Sequence, residues 1–185
     1  MLDDVKKNAE TRMGKSTDAL KDELRKLRTG RAHTGLLEHI TVDYYGSEVP
    51  LSQAATISVE DSRTLSVAPW EKQMVAAVEK AILTSDIGLT PMTAGSVIRV
   101  PLPPMTEERR KDMVKVVRHE TEAGRVAVRN IRRDALGDVK ELLKEKLVTE
   151  DEDHRAHEEI QKLTDTAIAA MDRLLKEKET EIMEF

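Results

Sequence analysis

Apolar residues recur at spacings of three and four through the first stretch of the chain, at Leu2, Val5, Ala9, Met13, Leu20, Leu24 and Leu27. Broken by one longer gap, they mark a single stripe on a helix from Leu2 to Arg28, and Gly30 supplies a stop. The period then shortens to two. Ile40, Val42 and Tyr44 alternate with polar residues, Tyr45, Gly46 and Ser47 read as a turn, and Ala55–Val59 and Leu65–Ala68 are further β-type runs. A short helix is predicted from Trp70 to Leu83, with Met74, Val78 and Ile82 on one side; Gly88 and Pro91 interrupt the pattern. Val97–Val100 reads as a last strand, ended by Pro101, Pro103 and Pro104, which have no N–H to give a continuing ladder.

Thr106, Glu107, Glu108 and Arg109 have the form of a helix start, with Thr capping. From there Val114, Val117, Thr121, Gly124, Val128, Ile131, Ala135 and Leu142 carry a three-four alternation towards Leu147. That is the pattern of helix-on-helix packing, and roughly 40 residues make a rod of about 60 Å. The acidic run Glu150–Asp153 suits the positive end of another helix dipole. Ile160, Leu163, Ala167, Ala170, Leu174 and Ile182 form this third stripe.

No such helix can bury its stripe alone, so the economical arrangement is a bundle of the three. The fold class is α+β: a long three-helix bundle from residues 1–30 and 105–185, with a small β/α/β domain, 31–104, inserted into it. Two chain crossings then join the domains. Gly30, Arg31, Pro103, Pro104 and Met105 are the hinge candidates.

Composition agrees with long amphipathic helices. Charged residues make up 35% and aromatics only 2%, too few large rings for a deep core throughout. There is no cysteine, which excludes disulfides, thiol catalysis and cysteine-held metals. The first residues do not read as a signal peptide and no apolar run approaches a membrane span, so a cytoplasmic protein without membrane contact is expected. The net charge of −5 hides an uneven distribution. Arg109–Arg133 holds nine Lys/Arg against three Asp/Glu, whereas Lys140–Phe185 holds eight against fourteen. Such asymmetry points to one face meeting a polyanion.

On the second long helix Lys111, Lys115, Arg118, Arg125, Arg129, Arg132 and Arg133 fall within a sector of roughly 100°, centred well over 100° from the apolar stripe. The expectation is a continuous basic ridge, nearly free of acidic partners, with planar guanidinium donors suited to phosphate. A rigid rod so armed reads RNA by shape and backbone. The alternative is a solvated face, since Glu122 interrupts the ridge and Glu/Arg pairs are common on helices. Arg28 and Arg31 flank the stop at Gly30, where a simple helix cap with two solubilising arginines is sufficient explanation. His154 and His157 have a spacing that could hold a metal but no third ligand nearby. Trp70 and the Tyr44–Tyr45 pair could stack on bases, though core or turn roles are simpler. No nucleotide-binding loop or nucleophile motif occurs, and neither enzyme activity nor a cofactor is expected. A coiled-coil adaptor for another protein is the competing reading. It explains the stripes and leaves the basic second helix unexplained.

Several stretches together resemble the ribosome recycling factor family. They are Leu27-Arg-Thr-Gly-Arg-Ala32, Tyr44-Tyr-Gly46, Val59-Glu-Asp-Ser-Arg-Thr-Leu65, Ala81-Ile82 and Ser85-Asp-Ile-Gly-Leu89. With them go the run from Ile98 to Lys111 and, most specific, Arg125-Val-Ala-Val-Arg-Asn-Ile-Arg-Arg-Asp134. The similarity extends over essentially the whole chain. Gly124 within the long helix is a mild oddity, costing about 1 kcal/mol relative to Ala. The resemblance implies an L-shaped, transfer-RNA-like protein, a monomer, that binds the post-termination ribosome. With elongation factor G and GTP it would help separate the subunits and release them from mRNA for another round of translation, initiation factor three then keeping them apart. It further implies that the bundle sits on large-subunit ribosomal RNA through Arg129 and Arg132 above all, with Arg28, Arg31 and Arg133 nearby. The inserted domain would meet elongation factor G, to which the GTPase chemistry belongs.

Overall fold

The computed structural model describes residues 1–27 and 30–184. Three long helices, α1 (Leu2–Lys26), α3 (Glu107–Lys144) and α4 (Glu150–Met183), enclose one apolar cluster; the short helix α2 lies elsewhere, at Val75–Leu83. Ala9, Met13, Leu20 and Leu24 from α1 meet Val117, Val128, Ile131, Ala135 and Val139 from α3, and Ala156, Ile160, Met171 and Ile182 from α4. Two buried threonines sit in these stripes without orphaned hydroxyls. Thr121 donates to the Val117 carbonyl and Thr164 to that of Ile160, each at 2.8 Å, one turn back in its own helix.

Gly124 has a packing reason. A Cβ there would lie 3.1 Å from Met171 Sδ and 3.6 Å from Leu20 Cδ2, so α1 and α4 both close in on α3 at this point. The missing side chain lets α3 keep the tight approach, offsetting its weak helix propensity.

The ends of α3 and α4 follow from local chemistry. α3 stops short of the Leu147 expected from periodicity, because Lys146 takes a left-handed φ of 60°. Lys146 N–H donates to the Leu143 carbonyl and Leu147 N–H to that of Leu142, a closing arrangement usually signalled by glycine. α4 opens on a capping box: Thr149 Oγ1 accepts from Glu152 N–H and the Glu152 carboxylate accepts from Thr149 N–H. Those bonds hold Glu152 below the usual carboxylate range.

Residues Met1–Thr29 and Glu107–Glu184 form one compact unit and Gly30–Thr106 another. In the second unit a hairpin of β1 (Thr41–Tyr44) and β2 (Ser47–Pro50) accompanies a four-stranded antiparallel sheet. Its strands are β3 (Ala55–Asp61), β4 (Thr64–Pro69), β5 (Met92–Ala94) and β6 (Val97–Pro101), ordered β3-β4-β6-β5. Leu65 and Val67 pair across the sheet with Val100 and Ile98, and all four join Leu37, Val42, Leu51, Val78 and Ile82 in a separate core. Periodicity missed β2 and β5, which are short and mostly exposed. It also began α2 too early: residues 70–74 hold an extended Glu71 and a single 3-10 turn before the α-helix starts at Val75.

The turn between β1 and β2 uses two residues with positive φ, Tyr45 and Gly46, as right-twisted hairpins favour. Tyr45 is an unusual occupant. Its hydroxyl is tied to the Glu71 carboxylate, as is that of Tyr44 at 3.0 Å, and the two rings meet edge-on. Bonds from Tyr45, Gln73 and Tyr44 hold Glu71 below its ordinary range.

Removing 31–104 with a short bridge should leave a helical protein that melts cooperatively by far-UV circular dichroism, and a broad, non-cooperative melt would refute it. In the intact chain, Gly124→Val should destabilise the bundle by about 1–3 kcal/mol in urea unfolding, through overpacking against Met171 and Leu20.

Candidate RNA-binding site

Along α3 the buried positions Val117, Thr121, Val128, Ile131, Ala135 and Val139 fix the direction of the core. At about 100° per residue, Arg129 and Arg133 point well away from it, whereas Arg132 lies only about 50° from the centre of the stripe. Arg132 is accordingly half-buried, and its Nε is fully buried with no hydrogen-bond partner. The expectation of a ridge standing clear of the packed face needs correcting here: the sector is broad enough that its inner edge reaches the helix seam.

The expected scarcity of acidic partners is corrected too. Arg118 Nε donates to Glu179 Oε1 at 2.6 Å, and Arg125 Nε to Asp172 Oδ1 at 2.9 Å, both carboxylates belonging to α4. Arg125 and Arg129 also share Glu122, at 3.1 and 3.0 Å, and hold its carboxyl below the usual range, Arg129 contributing most. Lys111 pairs with Glu107 at 2.8 Å. The reason is the neighbour: basic α3 packs along acidic α4, and part of the charge asymmetry is satisfied inside the bundle. Glu179 and Asp172 are too distant in sequence for helical spacing to reveal them.

What the structure leaves available is narrower and better defined. Among the described residues, Arg132 and Arg133 have no ion-pair partner. The terminal nitrogens of Arg132 are not buried, and Arg133 is exposed, one residue further round. Arg129 is half-exposed and uses one nitrogen on Glu122, leaving most of its donors open. Arg129, Arg132 and Arg133 therefore form a compact cationic group on the middle of α3. Arg125 stands behind it, committed to Asp172. Arg28 lies outside the described residues. Arg31 is exposed and belongs to the other compact unit.

The hinge candidates are placed as follows. Gly30 has φ +80°, and a Cβ on it would lie 2.8 Å from Met105 Sδ, so these two lie side by side. Ala32 N–H donates to the Ser62 carbonyl at 2.8 Å and Leu102 N–H to that of Arg63 at 2.7 Å. One turn, between β3 and β4, thus ties down both ends of the inserted unit. Pro103 and Pro104 are exposed.

The other candidates have local explanations. His154 lies 3.4 Å from Glu158 and His157 3.5 Å from Asp153, each one turn away on α4. Among the described residues no group of three or more His, Asp or Glu could hold a metal ion. Tyr45 is a turn residue, and Trp70 is exposed, not core, its indole N–H donating to Thr56 Oγ1 at 2.9 Å. No helix among the described residues is long and apolar enough to cross a membrane.

A family profile described as Ribosome recycling factor matches residues 20–183. The ribosome-recycling factor of Thioalkalivibrio sulfidiphilus is 61% identical over 184 residues, covering 100% of both chains. That of Nitrosospira multiformis is 60% identical over 99% of each chain. Among solved structures, a solution structure of the ribosome recycling factor has a TM-score of 0.70 at 45% identity, covering 100% of this chain and 98% of the other. A second shows the T. thermophilus ribosome recycling factor and E. coli elongation factor G bound to the E. coli post-termination complex. It has a TM-score of 0.61 at 49% identity and covers 98% of each chain. With a bundle, an inserted β-rich unit and full-length similarity in agreement, this chain belongs to the ribosome recycling factor family.

Proposed function

We propose that the protein binds the post-termination ribosome through the α3 arginines and, with elongation factor G and GTP, promotes separation of the subunits and release of the mRNA. The observation that carries the RNA contact is Arg132: a guanidinium with its stem packed in a helix seam, its outer nitrogens solvent-accessible, and no carboxylate on it. Packing limits the rotamers of the side chain, so little entropy remains to be lost when a phosphate is bound. Arg133 and Arg129 extend the contact along the rod, and Arg125, paired with Asp172, supports it from behind. Arg28 and Arg31 add charge where the chain leaves the first helix.

In this reading the bundle, residues 1–30 and 105–185, grips large-subunit ribosomal RNA, and the inserted domain, 31–104, receives elongation factor G. The protein works as a cytoplasmic monomer and contributes binding and geometry. GTP hydrolysis is the partner's chemistry, and no side chain here acts as a catalytic group. Gly30, Arg31, Pro103, Pro104 and Met105 form the two crossings through which displacement passes. Glycine gives one crossing backbone freedom while the prolines stiffen the other, so motion is concentrated at few bonds.

The test is binding to purified large ribosomal subunits, followed by polysome breakdown with cognate elongation factor G and GTP. Arg132→Ala should weaken subunit binding by about 1–3 kcal/mol, the scale of a charge-assisted hydrogen bond, and slow breakdown accordingly. Arg118→Ala, whose guanidinium is already taken by Glu179, should change binding several-fold less. Arg173→Ala, on the exposed face of α4, should bind as wild type. Affinity should fall steeply with added salt. Equal binding by wild type and Arg132→Ala would refute this assignment of the contact, and ribosomes left unsplit by the wild-type protein would refute the function.

A further inference from the structure

The seam between α3 and α4 contains a ladder with a seven-residue step. Arg118 faces Glu179 and Arg125 faces Asp172 in antiparallel register, and one more step places Arg132 level with Asp165. The first two rungs are closed. The third is open: Arg132 and Asp165 form no ion pair with each other, and Asp165 Oδ1 instead accepts from Gln161 Nε2 at 2.8 Å.

Helix geometry explains why the ladder opens there. A straight α-helix drifts by about 20° for every seven residues, so residues in such a row rotate steadily relative to the seam. The exposures follow that rotation. On α3 the side chain goes from 64% exposed at Arg118 to 22% at Arg125, and Arg132 has its Nε fully buried. On α4 the carboxylates move the opposite way, from 27% at Glu179 to 50% at Asp172, with Asp165 exposed. The cation sinks while the anion climbs. By the third rung they are out of step, and half-buried Gln161 offers Asp165 a partner one turn back on its own helix.

Asp165 nevertheless stays level with Arg132 despite this drift, and an exposed ion pair and a helical Gln–Asp bond have similar strengths, each below about 1 kcal/mol, so release from Gln161 makes the pair competitive. We infer that Gln161 is a positioning residue: by holding Asp165 it keeps the third rung open and leaves the Arg132 guanidinium unneutralised for phosphate. This rests on the RNA contact assigned to Arg132 above. The same ladder thus has two uses, with closed rungs fastening α4 to α3 and the open one facing outward.

The experiment uses the full-length protein in two readouts. The first needs no RNA: the Arg132 Nε–H signal followed by 15N NMR. In Gln161→Leu, which keeps the side-chain volume, pairing with Asp165 should shift this signal and slow its exchange with water. Gln161→Leu/Asp165→Asn should return it to the wild-type position. The second is binding to purified large ribosomal subunits. Gln161→Leu should lose roughly two- to fivefold in affinity, the double variant should recover it, and Asp165→Asn alone should bind at least as well as wild type. Recovery by the double variant separates release of Asp165 from general damage to the helix seam. An Arg132 signal unmoved by Gln161→Leu overturns the proposal whatever the binding shows. A moved signal with unchanged binding also overturns it when Arg132→Ala does weaken binding. If Arg132→Ala binds as wild type, the RNA reading itself has failed, and the ladder's role in it falls too.

Discussion

Everything in the bundle depends on the burial of one narrow apolar stripe from each of three long helices. A chain with so few aromatic side chains has no large rings to fill a wide interior, so its helices must approach closely and share a thin seam. Gly124 shows how tight that seam is, with Met171 and Leu20 occupying the space a side chain would need. A thin seam leaves most of each helix surface in water, and that surface carries the charge. It also places long basic side chains at the edge of the core, where their stems pack and their tips stay wet. Arg132 is a product of this geometry.

Charge in this molecule has two destinations. An excess of cations on α3 could all have faced a polyanion, but α4 is acidic and lies alongside. Arg118 and Arg125 are drawn inward to Glu179 and Asp172, while Arg129 divides itself between Glu122 and solvent. Exposed pairs of this kind contribute little individually, up to about 1 kcal/mol. Their larger effect is selection: they fix the register of two long helices and leave fewer arginines uncommitted on the surface. Net charge along a segment is therefore a poor guide to its binding face. The useful quantity is the cation left over once the neighbouring helix has taken its share.

That distinction explains which features were legible in the sequence. Helical periodicity located the three long helices, and the stripes it picked out supply most of the buried residues. It passed over Val139, Ala156 and Met171, which lie on or beside rows already recognised. The early stop of α3 was hidden because Lys146 occupies a left-handed position with no glycine to announce it. Strands β2 and β5 were invisible for a different reason: short, exposed segments have no buried face to impose alternation. In the site, residue types and the sector were readable from one helix alone. The degree of pairing was not, since Asp172 lies 47 residues from Arg125 and Glu179 lies 61 from Arg118. Only the fold brings them into reach. The repeat of seven shared by Arg118, Arg125, Arg132 and by Asp165, Asp172, Glu179 was present in the sequence all along, but it has meaning only for antiparallel helices in a known register.

The inserted unit obeys a different constraint. An insertion into a helical bundle must begin and end near one place, or the bundle's own helices could not pack. The structure meets this with a single turn, between β3 and β4, whose Ser62 and Arg63 carbonyls accept from Ala32 on the incoming strand and Leu102 on the outgoing one. Gly30 and Met105 lie directly against each other beyond that clamp. Both chain ends of the insertion are thus held by main-chain bonds, which depend on backbone geometry and not on the identity of the side chains. The unit keeps its own core under Leu65, Val67, Ile98 and Val100, contributing nothing to the helical one. Each core is therefore complete in itself. That independence follows from where the chain's hydrogen bonds stop and each apolar cluster closes.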